Sequence, residues 1–203
     1  MLGRSITRNS LILGAFAAAT AGLIALTFQN TKNKISEQER LAAQKALFEI
    51  VPQSRHDNDL LQDLIQLPSE EAAALGMSEG SKVHIAKSDG SIIAYILPVV
   101  APDGYSGDIK MIVGVNVDGT VAGVRVLSHK ETPGLGDKVD LNKSPWILGF
   151  EGKSLNNPRP ENWRVKKDGG HFDQFTGATI TPRAVVGQVK QVLEYLEAHK
   201  FKL

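Results

Sequence analysis

The chain has 203 residues, of which 42% are hydrophobic and 22% are charged, with a formal net charge of +1 and no cysteine. These proportions are typical of a globular protein and allow one compact domain plus an appendage. The near-neutral charge and the lack of segments that combine basic with aromatic residues argue against nucleic-acid binding. The absence of cysteine excludes iron–sulfur clusters, thiolate zinc sites, thiol nucleophiles and disulfides.

An uncharged stretch near the N-terminus is long enough to cross a bilayer. No charged residue occurs between Arg8 and Lys32, and a helix over this interval rises about 34 Å, whereas a hydrocarbon core is about 30 Å thick. We therefore predict a transmembrane helix over residues 9–31. A cleaved signal peptide is the alternative, because Arg4 and Arg8 form a basic start and small alanines follow. The length of the apolar run and the polar helix-forming sequence directly after it favour a retained anchor.

The two arginines also predict the orientation of the anchor. Positive charges on the short N-terminal side favour a cytoplasmic segment over residues 1–8 and place the rest of the chain across the membrane. In a bacterium that compartment is the periplasm. We therefore expect a single-pass protein of the bacterial inner (cytoplasmic) membrane with a periplasmic C-terminal domain over residues 53–203.

Between the anchor and the domain, residues 32–52 predict an amphipathic stalk helix that ends near Pro52. Residues near helical spacing predict the face that docks on the domain, namely Ile35, Leu41, Ala42, Lys45 and Phe48. A second, short helix is predicted to begin near Ser69, where two acidic residues occupy the first turn.

After Ser81 the apolar residues follow a period of two, which predicts β-strands. The segments are rich in β-branched residues and cover 83–85, 92–97 and 109–117. The pair Asp118-Gly119 follows the last of these and predicts a tight hairpin in which both turn residues take positive φ. The sheet is therefore expected to be largely antiparallel.

The next segment contains several breaks in regular structure. Residues 128–138 include two glycines and a proline, which predict a shaped loop without regular structure. Ser144-Pro145 predicts the start of a short helix. Residues 163–165 read as one more strand.

The C-terminal segment gives the clearest helix prediction. Thr181 would be the N-cap and Pro182 the first helical residue of a helix that runs to about His199. Apolar residues then recur at helical spacing and predict one stripe that packs on the sheet, at Val185, Val189, Val192, Leu193 and Leu196. The fold class is thus α+β: a single N-terminal transmembrane helix, then a domain with a twisted, largely antiparallel sheet packed by helices.

The residues in front of this last helix suit an anion. Thr176, Gly177, Ala178 and Thr179 are small and bring backbone N–H groups close to the positive end of the helix dipole, where a phosphate would be stabilised. On spacing alone, an ordinary turn hydroxyl is the better interpretation of Thr179.

The segment Asp173-Gln-Phe-Thr-Gly-Ala-Thr179 resembles the flavinylation motif of FMN-binding domains. The wider stretch 166–186, together with APDGYSG at 101–107 and ETPGLGDK at 131–138, is similar in wording and order to the G subunit of the Rnf (Rsx) electron transport complex. The resemblance covers essentially the whole chain, including the N-terminal anchor, and no motif position departs from the pattern.

This resemblance implies a covalently bound cofactor. FMN would be joined through its phosphate to the hydroxyl of Thr179 by a separate transferase of the ApbE type, which takes FMN from FAD. The frame that the transferase recognises and that binds the phosphate would consist of Asp173, Thr176, Gly177 and Ala178. For Asp173, a structural turn carboxylate is an equally good interpretation.

Two loops are then candidates for the walls of the isoalloxazine pocket, because a flavin needs an apolar face and a few polar contacts. The candidate residues are Tyr105, Glu131, Thr132 and Leu135. For Glu131 the alternative is a solvated loop carboxylate.

For the whole molecule, the resemblance implies an electron-carrier subunit and not an independent enzyme. It would sit in a lipid bilayer and relay electrons to other subunits of the Rnf complex, which couples electron transfer between ferredoxin and NAD to ion movement. The chain has no dinucleotide fingerprint, P-loop or zinc spacing of its five histidines, so another subunit would handle NAD. Two alternatives stay open: the C subunit of the Na⁺-translocating NADH:quinone reductase, which carries a similar tethered FMN, and an anchored scaffold module without a cofactor.

Overall fold

The computed structural model describes residues 2–78 and 80–199 and divides the chain into two compact units, Met1–Leu41 and Ala42–Leu203. Helix α1, Leu2–Ile50, makes up the first unit and continues into the second. Among the described residues, it is the one helix long and apolar enough to cross a membrane, and its most apolar window has a mean hydropathy of 2.1 and is 0% buried. A signal sequence would meet the same criteria of length and composition.

The second unit is built on a five-stranded sheet in the order β1-β2-β3-β4-β5. The strands are β1 Leu64–Ile65, β2 Val83–Ser88, β3 Ser91–Ala101, β4 Ile109–Asn116 and β5 Val121–Ser128. Each strand pairs antiparallel with the next along the chain, which confirms the predicted antiparallel sheet. The short helix predicted near Ser69 is confirmed as α2, Ser69–Ala74. Strand β1 was not predicted, because two residues are too few to show an alternation of apolar and polar side chains.

The dipeptide Asp-Gly occurs at two hairpins of this sheet and differs in conformation between them. Between β2 and β3, Asp89 and Gly90 have φ angles of 50° and 73°, as a two-residue hairpin turn requires. Between β4 and β5, Gly119 has a φ of 85°, but Asp89 is the one non-glycine residue of the described part with a positive φ. The carboxylate of Asp118 instead accepts a hydrogen bond from the Thr120 amide at 2.9 Å. The prediction of two positive φ angles at Asp118-Gly119 is therefore wrong, because a longer loop lets the aspartate side chain brace the turn.

Both faces of the sheet are covered by other elements. Helix α3, Ile180–Ala198, packs on one face, and its predicted stripe is confirmed. The residues of that stripe are each at most 1% exposed: Val185, Val189, Val192, Leu193 and Leu196. The opposite face, which includes Ala94, Ile96 and Ile112, packs against the last turns of α1. Because both faces are buried, β4 is an almost continuous apolar run and not an alternating one.

The last turns of α1 approach the sheet closely at two glycines. Gly114 on β4 and Gly123 on β5 are paired across the sheet. A Cβ atom at Gly114 would lie 2.3 Å from Cγ2 of Ile50, and one at Gly123 would lie 3.2 Å from its Cγ1. The two strands thus lack side chains at the point where the helix meets them.

The packed face of α1 differs from the predicted one. Within the second unit, Phe48 is 40% exposed. The buried residues at the end of the helix and just after it are Ala46, Leu47, Ile50 and Val51. The prediction that Phe48 lies in the packed face is therefore wrong, and the helix ends at Ile50, before the expected boundary at residue 52. The folded unit also begins at Ala42, inside the segment expected to be a stalk.

Several short 3₁₀ helices lie between β5 and α3. They cover Gly136–Val139, Pro145–Phe150, Pro160–Asn162 and Lys166–Asp168. The first of them lies partly within residues 128–138, so the prediction of a loop without regular structure is wrong at its end. The helix predicted at Ser144-Pro145 is confirmed, and the Ser144 hydroxyl accepts a hydrogen bond from the Trp146 amide at 3.2 Å.

The strand predicted over residues 163–165 is wrong. Trp163 is buried because its ring packs on Phe172 and Phe150. Its indole N–H lies 3.1 Å from the carbonyl oxygens of Ser154 and Pro158. The large apolar residues of this segment pack into an aromatic cluster, so their alternation does not indicate a paired strand.

Candidate functional site

Helix α3 begins two residues before the position that the sequence predicts. Its first residue is Ile180, and its N-cap is Thr179, with φ −87°, ψ −28° and no capping hydrogen bond from the side chain. Thr181, the predicted cap, is 0% exposed and lies inside the first turn, where its hydroxyl donates to Oε2 of Glu131. The prediction of Thr181 as the cap is therefore wrong, and Thr179 stands at the helix entrance.

A pocket of about 330 Å³ opens beside this entrance, a volume at the low end of the roughly 300–1,000 Å³ that ligand sites occupy. The structure brings together here seven of the residues named from the sequence: Tyr105, Glu131, Thr132, Leu135, Gly177, Ala178 and Thr179. Gly136, Ile180 and Thr181 complete the lining. The sequence reasoning missed Ile180 and Thr181 because it placed the helix start too late.

Asp173 and Thr176 do not line this pocket. The Asp173 side chain is 68% exposed, and its Oδ1 pairs with Nζ of Lys166 at 2.6 Å. Its backbone carbonyl accepts a hydrogen bond from the indole N–H of Trp146 at 2.8 Å. Thr176 is exposed. Asp173 and Thr176 therefore lie on the surface and not in the pocket.

The rim of the pocket is apolar and accessible. Tyr105 is 69% exposed, Leu135 41% and Ile180 43%. A Cβ atom at Gly177, whose φ is 80°, would lie 3.7 Å from Cδ2 of Leu135, so a side chain in place of this glycine would narrow the pocket. Exposed apolar side chains gathered around one cavity favour a ligand with a flat apolar part.

Glu131 lies behind this rim with its carboxylate out of solvent. The residue is 5% exposed; its Oε1 accepts from the Ser106 amide at 2.9 Å, and its Oε2 accepts from the Thr181 hydroxyl. The interpretation of Glu131 as a solvated loop carboxylate is therefore wrong.

The first turn of α3 offers donors to an anion at Thr179. The amides of Ile180 and Thr181 have no acceptor within the helix, whereas Pro182 has no N–H. The guanidinium of Arg183 is already engaged with Asp168, at 2.7 Å from Nε to Oδ2 and 2.9 Å from Nη2 to Oδ1. The hydrogen bond from Arg183 lowers the pKa of Asp168. The backbone amides are therefore the donors that the helix presents to a phosphate.

Two family models match the chain. The model of the FMN-binding domain matches residues 104–194, which include every residue that lines the pocket. The model of the RnfG N-terminal region matches residues 1–50, which correspond to helix α1. These matches support the main interpretation of the sequence over a scaffold module without a cofactor.

Several relatives are similar over nearly the whole chain. The G subunit of the ion-translocating oxidoreductase complex from Shewanella loihica is 48% identical over 97% of this chain and 92% of its own length. Proteins of the same name are 48% identical in Vibrio atlanticus, over 95% of this chain and 90% of their own, and in Pseudomonas aeruginosa, over 98% and 92%. The resemblance to the G subunit of the Rnf complex is confirmed. The chain belongs to the family of the G subunit of ion-translocating oxidoreductase complexes, and its C-terminal part is an FMN-binding domain.

Proposed function

We propose that this chain is the flavin-carrying electron-transfer subunit of a membrane-bound ion-translocating oxidoreductase complex, with FMN joined by a phosphoester to the hydroxyl of Thr179. The observation that carries the proposal is the position of Thr179. It lines the pocket and occupies the N-cap position of the 19-residue helix α3. Its side chain makes no capping hydrogen bond.

The neighbouring threonines are poorer candidates for the attachment. Thr176 is exposed and does not line the pocket. Thr181 lines it, but its hydroxyl donates to the buried carboxylate of Glu131. Thr179 thus combines access to the pocket with an uncommitted hydroxyl.

The residues around Thr179 fit FMN chemically. A phosphate on Thr179 would lie next to the free amides of the first turn of α3 and at the positive end of the helix dipole. The exposed rim residues Tyr105, Leu135 and Ile180 would supply apolar contacts to the isoalloxazine ring. Bound FMN supplies one- and two-electron redox chemistry, and the chain contributes the position and surroundings of the ring.

Attachment of FMN needs a second protein. We expect a transferase of the ApbE type to take FMN from FAD and to recognise residues 173–179 for this purpose. The exposure of Asp173 and Thr176 supports this role, since residues outside the pocket stay accessible to the transferase. A covalent link keeps the flavin on the protein at any concentration of free FMN.

The anchor supports a role within an assembly. We propose that residues 9–31 cross the bacterial inner membrane, that residues 1–8 are cytoplasmic and that the FMN-binding domain is periplasmic. Confinement to the membrane raises the effective concentration of the domain near the other subunits of the complex. The chain would relay electrons between those subunits and would not act as an independent enzyme.

The attachment can be tested on protein from a host that expresses the flavin transferase. Wild-type protein should show flavin fluorescence on a denaturing gel and a mass increase of one FMN less one water. Thr179→Ala should lose both signals, whereas the matched variant Thr181→Val should keep the mass increase. Flavin retained by denatured Thr179→Ala would show that the assigned residue is wrong.

A further inference from the structure

A single buried carboxylate connects the three segments that form the pocket rim. Glu131 belongs to the same loop as Leu135, and its Oε1 accepts from the amide of Ser106, the residue after Tyr105. Its Oε2 accepts from the hydroxyl of Thr181, the residue after Ile180. Each of the three exposed apolar rim residues thus lies on a segment that Glu131 holds.

The backbone leaves room for this carboxylate on both sides. A Cβ atom at Gly136 would lie 2.6 Å from Oε2 of Glu131 and 2.6 Å from Oγ1 of Thr181. A Cβ atom at Gly104 would lie 3.0 Å from Oε1 of Glu131. Because Gly104 and Gly136 have no side chains, the loops can approach the Glu131 carboxylate closely. The contact therefore depends on these two glycines as well as on Glu131 and its partners.

The hydrogen bonds fix directions as well as distances. The Thr181 hydroxyl is the donor in this contact, and Oε2 of Glu131 is the acceptor. Thr181 lies inside the first turn of α3, which begins at Ile180. Thr179 consequently occupies the N-cap position, beside the pocket.

We propose that Glu131 is a positioning residue for the flavin: by binding Ser106 and Thr181 together, its carboxylate sets the distance between the walls that hold the isoalloxazine ring. The inference rests on the proposed function, because it assumes a flavin on Thr179. Glu131 acts here through its two protein partners, and its substitution should alter the environment of the flavin without removing the attachment point.

The test compares four single variants and one double variant of the full-length protein. Glu131→Gln keeps the size of the side chain but replaces one acceptor with a donor. Thr181→Val removes the donor, Thr181→Ser restores it, and Glu161→Gln is the control because Glu161 is exposed on a 3₁₀ helix away from this contact.

The first measurement uses protein made without the transferase and therefore free of attached flavin. Hydrogen exchange at the Ser106 amide should accelerate about tenfold in Glu131→Gln, because a neutral amide oxygen replaces the carboxylate as acceptor and a charge-assisted hydrogen bond is roughly twice as strong as a neutral one. Glu161→Gln should match the wild type. Unchanged exchange in Glu131→Gln would overturn the contact itself, whatever the outcome for the flavin.

The second measurement uses flavinylated protein and iodide quenching of flavin fluorescence. Quenching should increase in Glu131→Gln and in Thr181→Val, return to the wild-type value in Thr181→Ser, and stay unchanged in Glu161→Gln. The double variant Glu131→Gln/Thr181→Val should be no more quenched than either single variant, because both changes act on the same contact. If Glu131→Gln and Thr181→Val only lower the melting temperature while quenching stays at the wild-type value, Glu131 is structural and the proposal is wrong. Absence of flavin from the wild type would instead overturn the proposed function, while the exchange measurement would still report on the contact.

Discussion

The two threonines at the start of α3 have roles that depend on partners distant in the chain. Thr181-Pro182 has the local pattern of a cap followed by the first helical residue, yet the helix begins at Ile180. The Thr181 hydroxyl does not cap the helix but donates to the carboxylate of Glu131, 50 positions away. No local pattern shows such a contact. The pocket residues around Thr179 could be named because their motifs resemble a known family, whereas spacing alone favoured an ordinary turn hydroxyl.

At the scale of single residues, Gly136 tests the tight packing around Glu131. Gly136→Ala should lower the free energy of unfolding by about 1–3 kcal/mol, the usual range for overpacking, because its Cβ would lie 2.6 Å from Glu131 and Thr181 atoms. Gly187→Ala is the control: no heavy atom lies within 4 Å of its added Cβ, and alanine stabilises a helix by roughly 0.5–1 kcal/mol relative to glycine. Urea unfolding in detergent measures the stability of both variants. Equal stability of Gly136→Ala and wild type would contradict the close approach of Gly136 to Glu131 and Thr181.

The element that the sequence predicts least well in its contacts is the end of α1. Helical spacing correctly predicts a helix, but it selects Phe48 for the packed face, and the structure buries Leu47 and Ile50. Several faces of this segment carry apolar residues, so periodicity alone cannot decide which one meets the sheet. Glycine inside a strand often marks a close approach of another backbone, and Gly114 and Gly123 carry that signal here.

A double-mutant cycle tests this helix–sheet contact. Ile50→Ala should cost about 2–5 kcal/mol of stability through the cavity it leaves. Gly114→Ala should cost about 1–3 kcal/mol through overpacking, because its Cβ would lie 2.3 Å from Ile50 Cγ2. Combined in one chain, the two changes should cost less than their sum, since the cavity accepts the new methyl group. Additive costs in denaturant unfolding would mean that Ile50 does not lie over Gly114.

Strand β2 carries a histidine that makes stability depend on pH. Burial lowers the pKa of His84 below its ordinary value of 6.5, although the hydrogen bond to the Leu60 carbonyl partly offsets this. The folded state therefore binds a proton less readily than the unfolded state, and stability falls as pH decreases below about 6.5. In melting-temperature measurements between pH 7 and pH 5, His84→Gln should show a smaller decrease than the wild type. An equal or steeper decrease in the variant would show that His84 does not cause the pH dependence of stability.

For the molecule as a whole, the sequence predicts the α+β class, the antiparallel sheet, the terminal helix and the family. Regular periodicity and turn residues suffice for the structural features, because each depends on neighbours within a few positions. The aromatic cluster around Trp163 and the contact between Glu131 and Thr181 could not be predicted, because they join segments that meet only in the folded chain.

The orientation of the chain in the membrane can be tested with a protease. Protease added to spheroplasts should degrade the FMN-binding domain, because Arg4 and Arg8 favour a cytoplasmic N-terminus. A cytoplasmic marker protein that stays intact in the same sample is the control. Protection of the domain until the spheroplasts are lysed would reverse the proposed topology.

Peptide mapping can identify the residue that carries FMN. Trypsin cleaves after Lys167 and Arg183, so one peptide, residues 168–183, carries Thr176, Thr179 and Thr181. In protein from a host with the transferase, this peptide should carry the mass of one FMN less one water, and its fragment ions should place that mass on Thr179. An unmodified peptide, or fragment ions that place the flavin on Thr176 or Thr181, would show that Thr179 is not the attachment site.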